Sequence, residues 1–409
     1  MTTAVIITFC SLLLIAYLFD LTSTKTKIPS VILLLILGWG VRQSTIFFGI
    51  QLPDFSPILP ILGTIGLILI VLDGSLELEL NRSKIKLIVK SFFGSMLSMI
   101  AMAFLLGYMF KYFGGNSLKS GVVNAIPFCV ISSAIAIPSV RHLPWFEKEF
   151  VIYETSLSDI LGVLFFNFIT LHDTFDTHTF AHFGLDLVII TVVSFIATIG
   201  LAFLLSKIDH HIKFGPIILL IILIYAVSKV YHLPGLIFIL LFGLFIGNLD
   251  ELKRFKWIEK LRPEQLDKEV HKFKELTVEA TFLVRTLFFL LFGYLIETSE
   301  ILNTDTLLWA ASIVAIIFIL RIIQLKLSFL PLRPLLFVAP RGLITILLFL
   351  SIEPPNTIPL VNRSLIIQVI IISTLIMMVG LMMDKKREVV AEAEPGVISP
   401  DPTVDEELT

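Results

Sequence analysis

Cysteine is nearly absent from this 409-residue sequence, which has only Cys10 and Cys129, both inside apolar stretches. Two isolated cysteines exclude a disulfide framework and a cysteine metal site. The first apolar run, 2–21, has no preceding Lys or Arg and no small-residue cleavage site. We therefore interpret this run as a membrane span and not as a signal peptide.

The signatures of intramembrane hydrolases are also missing. The sequence has no H-E-x-x-H zinc motif, no serine elbow and no pair of aspartates that would face each other from catalytic helices. These absences exclude an intramembrane hydrolase. We expect no enzymatic activity, no bound cofactor and no nucleic-acid partner.

Apolar residues, in contrast, are abundant. They make up 56% of the sequence, and the mean hydropathy is +0.95, whereas soluble globular proteins have about 45 to 50% apolar residues. The composition predicts an all-α polytopic protein of the lipid bilayer.

The apolar runs are separated by prolines, glycines and charge clusters. A spanning helix needs about 20 mostly apolar residues, and thirteen runs qualify. Most of the 31 basic residues fall on one side when the N-terminus is placed outside, which predicts an outer N-terminus and an inner C-terminus. The predicted spans are 2–21, 28–42, 58–76, 87–111, 119–141, 148–171, 183–205, 215–229, 232–249, 277–297, 305–325, 332–351 and 363–383.

A weak internal repeat relates spans two and nine. Segment 27–40 aligns with segment 232–245 without gaps. The two spans are seven apart and have opposite orientations, as an inverted repeat of a secondary transporter requires. The identical positions are Pro29 and Pro234, Ile32 and Ile237, Leu35 and Leu240, and Gly38 and Gly243.

Span six carries ionisable and hydroxyl groups at the depth of the bilayer centre. Asp159 lies in the middle of the span, and Thr155 and Ser156 lie about one turn before it. A charge at this depth costs about 2.5 to 3.5 kcal/mol on insertion scales and marks an ion pathway by default. The alternative is that Asp159 only bonds a neighbouring helix. Glu154 lies about 140° round the helix from Asp159 and needs another partner.

Spans five and twelve have features that interrupt a helix. Two prolines flank two serines in span five, and Pro340, Arg341 and Gly342 follow one another in span twelve. Irregular backbone at this depth survives only inside protein or along a cavity. We predict two broken helices that meet beside Asp159. The span-five residues are Pro127, Ser132, Ser133 and Pro138.

Buried arginines need carboxylate partners because they stay charged. For Arg321 in span eleven we hypothesise a pair with Glu154, and for Arg285 a pair with Asp73. Each pair has the alternative of a purely structural role. Arg341 could instead anchor a helix end. Ser132 and Ser133 could instead donate hydrogen bonds to the backbone of their own helix.

At these residues the sequence resembles the monovalent cation:proton antiporter superfamily, in particular its NhaP-like electroneutral branch. The stretch ETSLSD, 154–159, is similar to the family motif E-S-L-x-N-D, whose last Asp carries the exchanged ion or proton. KIPS (27–30), LDGSLELEL (72–80) and APRGLITILL (339–348) resemble three further family segments. Arg321 falls where the branch places an arginine that pairs with the Glu of the motif.

Two departures from the family pattern concern the site itself. Ser158 stands where the family has Asn or Asp, and Ser132, Ser133 and Ala134 replace the fifth-span sequence that often contains an acid. Asp159 is left as the one strong ion carrier. Thr155, Ser156, Ser158, Ser132 and Ser133 are the candidate oxygen ligands.

The resemblance implies a sodium/proton antiporter. Proton and cation would compete for Asp159, which predicts one-for-one, electroneutral exchange, with Na⁺, Li⁺ or K⁺ as the cation. It also implies a moving core of 87–171 and 305–383, an interface part of 1–76 and 215–297 that dimerises, and a linker span at 183–205. The alternatives are a degenerate sensor homologue that transports nothing, a Na⁺-coupled solute symporter and a channel.

Three polar segments lie outside the spans. His172, His178 and His182 could bind a metal, although a solvated loop explains them as well. The charged stretch 250–275 is predicted to be a solvated linker or an interfacial helix. The proline-containing tail, 384–409, is predicted to be disordered.

Overall fold

The computed structural model describes residues 2–26, 28–50, 53–78, 84–172, 177–207, 214–231, 233, 235–249 and 263–383. These residues form helices and connections, without a strand. Helices are expected here because a spanning segment must satisfy its own backbone hydrogen bonds in lipid. In chain order the helices are α1 Thr2–Thr26, α2 Ser30–Phe47, α3 Ile58–Glu77, α4 Ile85–Gly114, α5 Leu118–Ala125, α6 Ser133–Ser139, α7 Trp145–Leu171, α8 Thr177–Lys207, α9 Phe214–Val230, α10 Leu236–Gly247, α11 Pro263–Leu295, α12 Thr298–Ile301, α13 Thr304–Leu327, α14 Leu343–Leu350 and α15 Arg363–Met383.

Helical structure lies within each of the predicted spans. By length and composition, 10 helical segments of the described chain qualify as membrane spans, and α9 and α10 are shorter apolar helices. The predicted range 332–351 contains only a 3₁₀ turn, Leu335–Phe337, followed by α14. The chain is thus a helical integral membrane protein, while the count of thirteen stays a prediction.

The helices pack in two groups. In the first group α2 packs on α1 and α11, α3 packs on α10 and α11, α8 packs on α10, and α9 contacts α3, α10 and α11. In the second group α4 packs on α5, α7 and α13, α13 packs on α15, α6 packs on α7, and α14 contacts α7 and α15. The groups meet mainly where α3 contacts α7 and α14. We call them the first and second packing groups; whether they move as units remains a prediction.

The glycines of the weak repeat lie where two helices approach each other closely. A Cβ atom on Gly38 in α2 would overlap the carbonyl oxygen of Leu290 in α11. A Cβ on Gly243 in α10 would overlap the side chain of Ser75 in α3. Both copies of the repeated glycine therefore permit tight packing between two helices of the first packing group.

Some sequence predictions lie outside the described residues. This applies to the tail 384–409 and to residues 250–262 of the charged stretch, whereas 263–275 form the beginning of α11. It also applies to the side chains of His178 and His182. In the described part of the chain, no group of three metal-ligating side chains occurs.

The close approach at Gly38 leads to a test with a matched control on the same helix. Gly38→Ala should destabilise the protein by about 1–3 kcal/mol, because the Leu290 carbonyl belongs to rigid backbone. Gly40→Ala should be neutral or stabilising, since nothing lies within 4 Å of a Cβ there and alanine favours helix by up to about 1 kcal/mol. Thermal unfolding in detergent measures both, and equal melting temperatures would contradict the packing.

Candidate ion site

Two helix breaks lie against each other inside the second packing group. The first break runs from the 3₁₀ turn Ile126–Phe128 to Ser132, just before α6, and the second lies between Phe337 and Leu343. The amide of Ser132 donates to the carbonyl of Pro340 at 2.9 Å. Gly342 permits this contact, because a Cβ there would lie only 2.6 Å from Ser132 Oγ. The structure thus brings together the two breaks that the sequence predicts.

Arg341 bonds the backbone that both breaks expose. Its guanidinium Nε donates to the Phe128 carbonyl of the first break, and Nη1 donates to the Ala339 carbonyl of the second at 3.0 Å. Its own amide donates to Ser373 Oγ of α15 at 3.1 Å. The residue is 2% exposed, so its place is between the two breaks and not at a surface helix end.

Asp159 projects from α7 onto the first break and is 1% exposed. Ser133 Oγ, at the first residue of α6, donates to Asp159 Oδ2. The other carboxylate oxygen, Oδ1, is buried and has no hydrogen-bond partner among the described residues. Buried polar atoms are almost always bonded, so this oxygen is available to a proton or a cation.

The candidate hydroxyl ligands fall into two classes. Ser158 Oγ accepts a hydrogen bond from the amide of Ile131 at 3.1 Å, and Thr155 Oγ1 donates to the Val151 carbonyl of its own helix at 2.8 Å. Ser132 Oγ and Ser156 Oγ are buried without a partner among the described residues. Ser132, Ser156 and Asp159 Oδ1 are therefore the oxygens with unused bonding capacity, and Ser158 instead fixes the break to α7.

Glu154 is fully engaged by a different set of groups. Arg321 of α13 pairs with it through both nitrogens: Nη1 bonds Oε1, and Nη2 bonds Oε2 at 2.7 Å. Gln324 also donates to Glu154 Oε1, and Arg321 Nε donates to the Leu335 carbonyl at 3.2 Å. Glu154 and Arg321 are 0% and 2% exposed. The hypothesised ion pair is present, and it neutralises both charges.

Gln324 is a site residue that the sequence analysis missed. It follows Arg321 by three positions on the same helix and accepts a hydrogen bond from Arg321 Nη1 at 3.2 Å. Residues three apart share a helix face, so the stretch IIFILRIIQ (316–324) contained a signal for it.

Among the described residues no direct salt bridge joins Asp73 to Arg285, although the two charges lie close enough to interact. Arg285 Nη2 instead lies 3.5 Å from Asp20 Oδ1, which links α11 to α1. Ser30 Oγ also donates to Asp20 Oδ1, at 3.3 Å. Asp73 Oδ1 is buried without a hydrogen-bond partner among the described residues. Asp20 lies at the end of the first apolar run, where a charged residue is ordinary, and for this reason the sequence did not single it out.

Cavities between the two packing groups differ greatly in size. A cavity of about 670 Å³ is lined from the first group by residues such as Thr64 and Lys229, and from the second by Asn167 and Ser351. On α7 its lining begins at Val163, about one turn beyond Asp159. A second cavity, between Ser30 and Ser139 near the other helix ends, has only about 10 Å³. The larger cavity therefore lies on the side of Asp159 toward the C-terminal end of α7.

A buried carboxylate beside two crossed, broken membrane helices is typical of a secondary transporter. The chain belongs to the family described as sodium/hydrogen exchanger, transmembrane, whose profile matches residues 10–384. This confirms the resemblance to cation:proton antiporters and supports sodium/proton antiport as the activity.

Solved structures agree with this family. The sodium proton antiporter MjNhaP1 from Methanocaldococcus jannaschii at pH 8 is similar, with 20% identity, a TM-score of 0.62, and coverage of 93% of this chain and 96% of that chain. A 3D EM structure of MjNhaP1 gives 19% identity, a TM-score of 0.62, and coverage of 93% and 95%. Because both identities are low, these structures support a shared fold and no more. No match occurs among curated protein sequences.

Removing one member of the Glu154 and Arg321 pair should be strongly destabilising. Breaking a buried ion pair costs about 3–5 kcal/mol, because the remaining charge has no partner. Arg321→Ala and Glu154→Gln should therefore each lower the melting temperature, and the double variant should lose much less than the sum. Lys326→Gln, which removes an exposed charge from the same helix, should leave the melting temperature unchanged. Additive losses in the double variant would contradict the pairing.

Proposed function

We propose that this chain exchanges one monovalent cation, Na⁺ first among Na⁺, Li⁺ and K⁺, for one proton at Asp159. The observation that carries the proposal is the contrast between two buried carboxylates in α7. Both oxygens of Glu154 are bonded to Arg321, whereas Asp159 Oδ1 has no partner among the described residues. One carboxylate is neutralised by the protein, and the other is left for a transported ion.

Proton and cation compete at such a group for a physical reason. Burial disfavours the charged form of a carboxyl group, whereas an adjacent cation favours it. We assume that the protein can move Asp159 between the two faces of the membrane only when a proton or a cation is bound to it. Because the two ions exclude each other at this carboxylate, each crossing with one ion must be followed by a return with the other, and exchange becomes obligatory. Asp159 is the single carrier in this scheme, since Ser158 and Ala134 carry no charge where the family often has an acid or amide.

A single carrier predicts electroneutral exchange. One cation moves for one proton, so the membrane potential contributes nothing to the driving force. A difference of one pH unit, equivalent to about 1.36 kcal/mol, would balance a tenfold cation gradient.

The packing supports an alternating-access cycle built on an inverted repeat. The contact between α2 and α11 corresponds to the contact between α10 and α3. In the same way, the contact between α4 and α7 corresponds to the contact between α13 and α15. These are the pairs that an inverted repeat of spans one to six on spans eight to thirteen would relate. The unequal cavities support a state in which one face has access.

We assign the parts of the cycle from the family resemblance, and the orientation from the distribution of basic residues. The core, 87–171 and 305–383, would move against the interface part, 1–76 and 215–297, with 183–205 as the linker. The interface part would form a homodimer. The N-terminus would be outside and the C-terminus inside a bacterial cytoplasmic membrane, and the face with the larger cavity would be the outer face.

Asp159→Asn should abolish exchange because the amide can neither bind a proton nor balance a cation. In vesicles with an imposed pH gradient, addition of Na⁺, Li⁺ or K⁺ should relieve the quenching of a pH-sensitive dye for the parent protein and not for the variant. Asp305→Asn makes the same chemical change at an exposed residue of α13 and should retain exchange. Exchange that survives in Asp159→Asn would rule out the mechanism.

The same vesicles discriminate the rival functions. An imposed membrane potential should leave the exchange rate unchanged. A channel would give voltage-driven cation flux without proton coupling, and a symporter would need an organic solute. A sensor homologue would give no dye response with any of the three cations.

A further inference from the structure

The two packing groups are joined at the predicted outer face by an unusual shared contact. The carbonyl oxygen of Leu295, the last residue of α11, accepts hydrogen bonds from two arginines. Arg42 comes from α2 and donates through Nη1 at 3.1 Å. Arg363 comes from the first turn of α15 and donates through Nη2 at 2.5 Å. Cations are favoured at this position, because the last carbonyls of a helix are unpaired and carry partial negative charge.

Each arginine also pairs with its own glutamate in the connection after α11. Arg42 Nη2 lies 3.0 Å from Glu297 Oε1, and Arg363 Nε lies 3.4 Å from Glu300 Oε1. The two arginines therefore contact the same short segment in similar ways. They differ in origin: Arg42 belongs to the first packing group, as α11 does, whereas Arg363 belongs to the second.

The connection itself is tied to the second packing group from Ile301 onward. Gln368 of α15 donates to the carbonyls of Ile301 and Asn303 at 3.2 and 2.8 Å, and it accepts from Thr306 Oγ1 at 2.9 Å. The chain thus crosses from the first group to the second between Leu295 and Ile301. The contact of Arg363 with Leu295 spans this crossing.

Arg363 also lies in a gap between the groups. It lines a cavity of about 100 Å³ together with Leu59 of α3 and Leu295 of α11. Pro60 and Leu350 line both this cavity and the cavity of about 670 Å³. A displacement of the second group toward the opposite face would close the larger cavity and carry Arg363 away from Leu295.

We propose that Arg363, with Leu295 and Glu300, forms an outer latch that positions the second packing group in the state with outer access. The inference rests on the proposed function, because it assumes that the second group moves against the first. Arg42 contacts the same carbonyl from within the first group, so its contact persists throughout the cycle. Arg363 is thus a positioning residue of the transport cycle and not an ion ligand.

The test measures access to the larger cavity rather than transport. Asn167→Cys places a thiol in the cavity lining, and Cys10→Ser removes the exposed native cysteine. A membrane-impermeant maleimide is added from the outer face, and the parent without Asn167→Cys gives the background. Arg363→Gln should lower the labelling rate by about threefold or more, the scale expected for a part-exposed charge-assisted contact. Arg42→Gln should leave the rate within about twofold by the same reasoning.

The outcomes separate the latch from its rivals. An unchanged or increased labelling rate in Arg363→Gln would overturn the latch. An equal loss of labelling rate in Arg42→Gln would also overturn it, because both arginines would then merely stabilise the end of α11. If Arg363→Gln does not fold, Glu300→Gln removes the same ion pair and should lower the rate in the same direction. Labelling requires no ion exchange. A failure of the latch with dye responses intact is therefore distinct from a failure of the antiport proposal.

Discussion

Two membrane helices are broken at the depth where lipid offers no hydrogen bonds, and the backbone groups freed there have to be satisfied by protein. Most of the candidate ion site follows from this constraint. The amide of Ser132 bonds Pro340, the amide of Ile131 bonds Ser158, and Arg341 bonds the carbonyl of Phe128. A buried arginine between the breaks replaces water as the donor. The breaks persist because their polar groups satisfy one another.

The same constraint explains the division of roles between the two carboxylates of α7. Arg321 bonds the Leu335 carbonyl just before the second break, and a buried cation there requires a buried anion, which Glu154 supplies. Asp159 projects from α7 onto the other break, where Ser133 donates to its Oδ2, while its Oδ1 has no hydrogen-bond partner among the described residues. Both carboxylate oxygens of Glu154 form bonds that stabilise the fold. Transport requires instead that Asp159 keep an oxygen available for the transported ion. Two acids five residues apart can therefore have different functions.

Features set by spacing within one helix were predictable from the sequence, whereas most contacts between helices were not. Hydropathy located the helical segments, and the prolines in 119–141 and 332–351 indicated both breaks. The pair of Glu154 and Arg321 followed from charge balance together with the family resemblance. Arg285 forms its direct contact with Asp20 and not with Asp73, because the choice of partner depends on helix rotation and depth, which a sequence pattern does not give. Arg341, judged from sequence as a charge or an anchor, bonds backbone carbonyls that no sequence pattern identifies.

Competition between proton and cation at a single buried carboxylate is the central claim, and the pH dependence of sodium affinity tests it most directly. In vesicles with equal pH on both sides, exchange of radioactive against unlabelled sodium reports binding and translocation without net proton movement. Competition at Asp159 predicts that the apparent KM for sodium rises as the pH falls, approaching about tenfold per pH unit once protons occupy the site, while the maximal rate stays constant. An apparent KM that does not change with pH, with a maximal rate that falls, would contradict it.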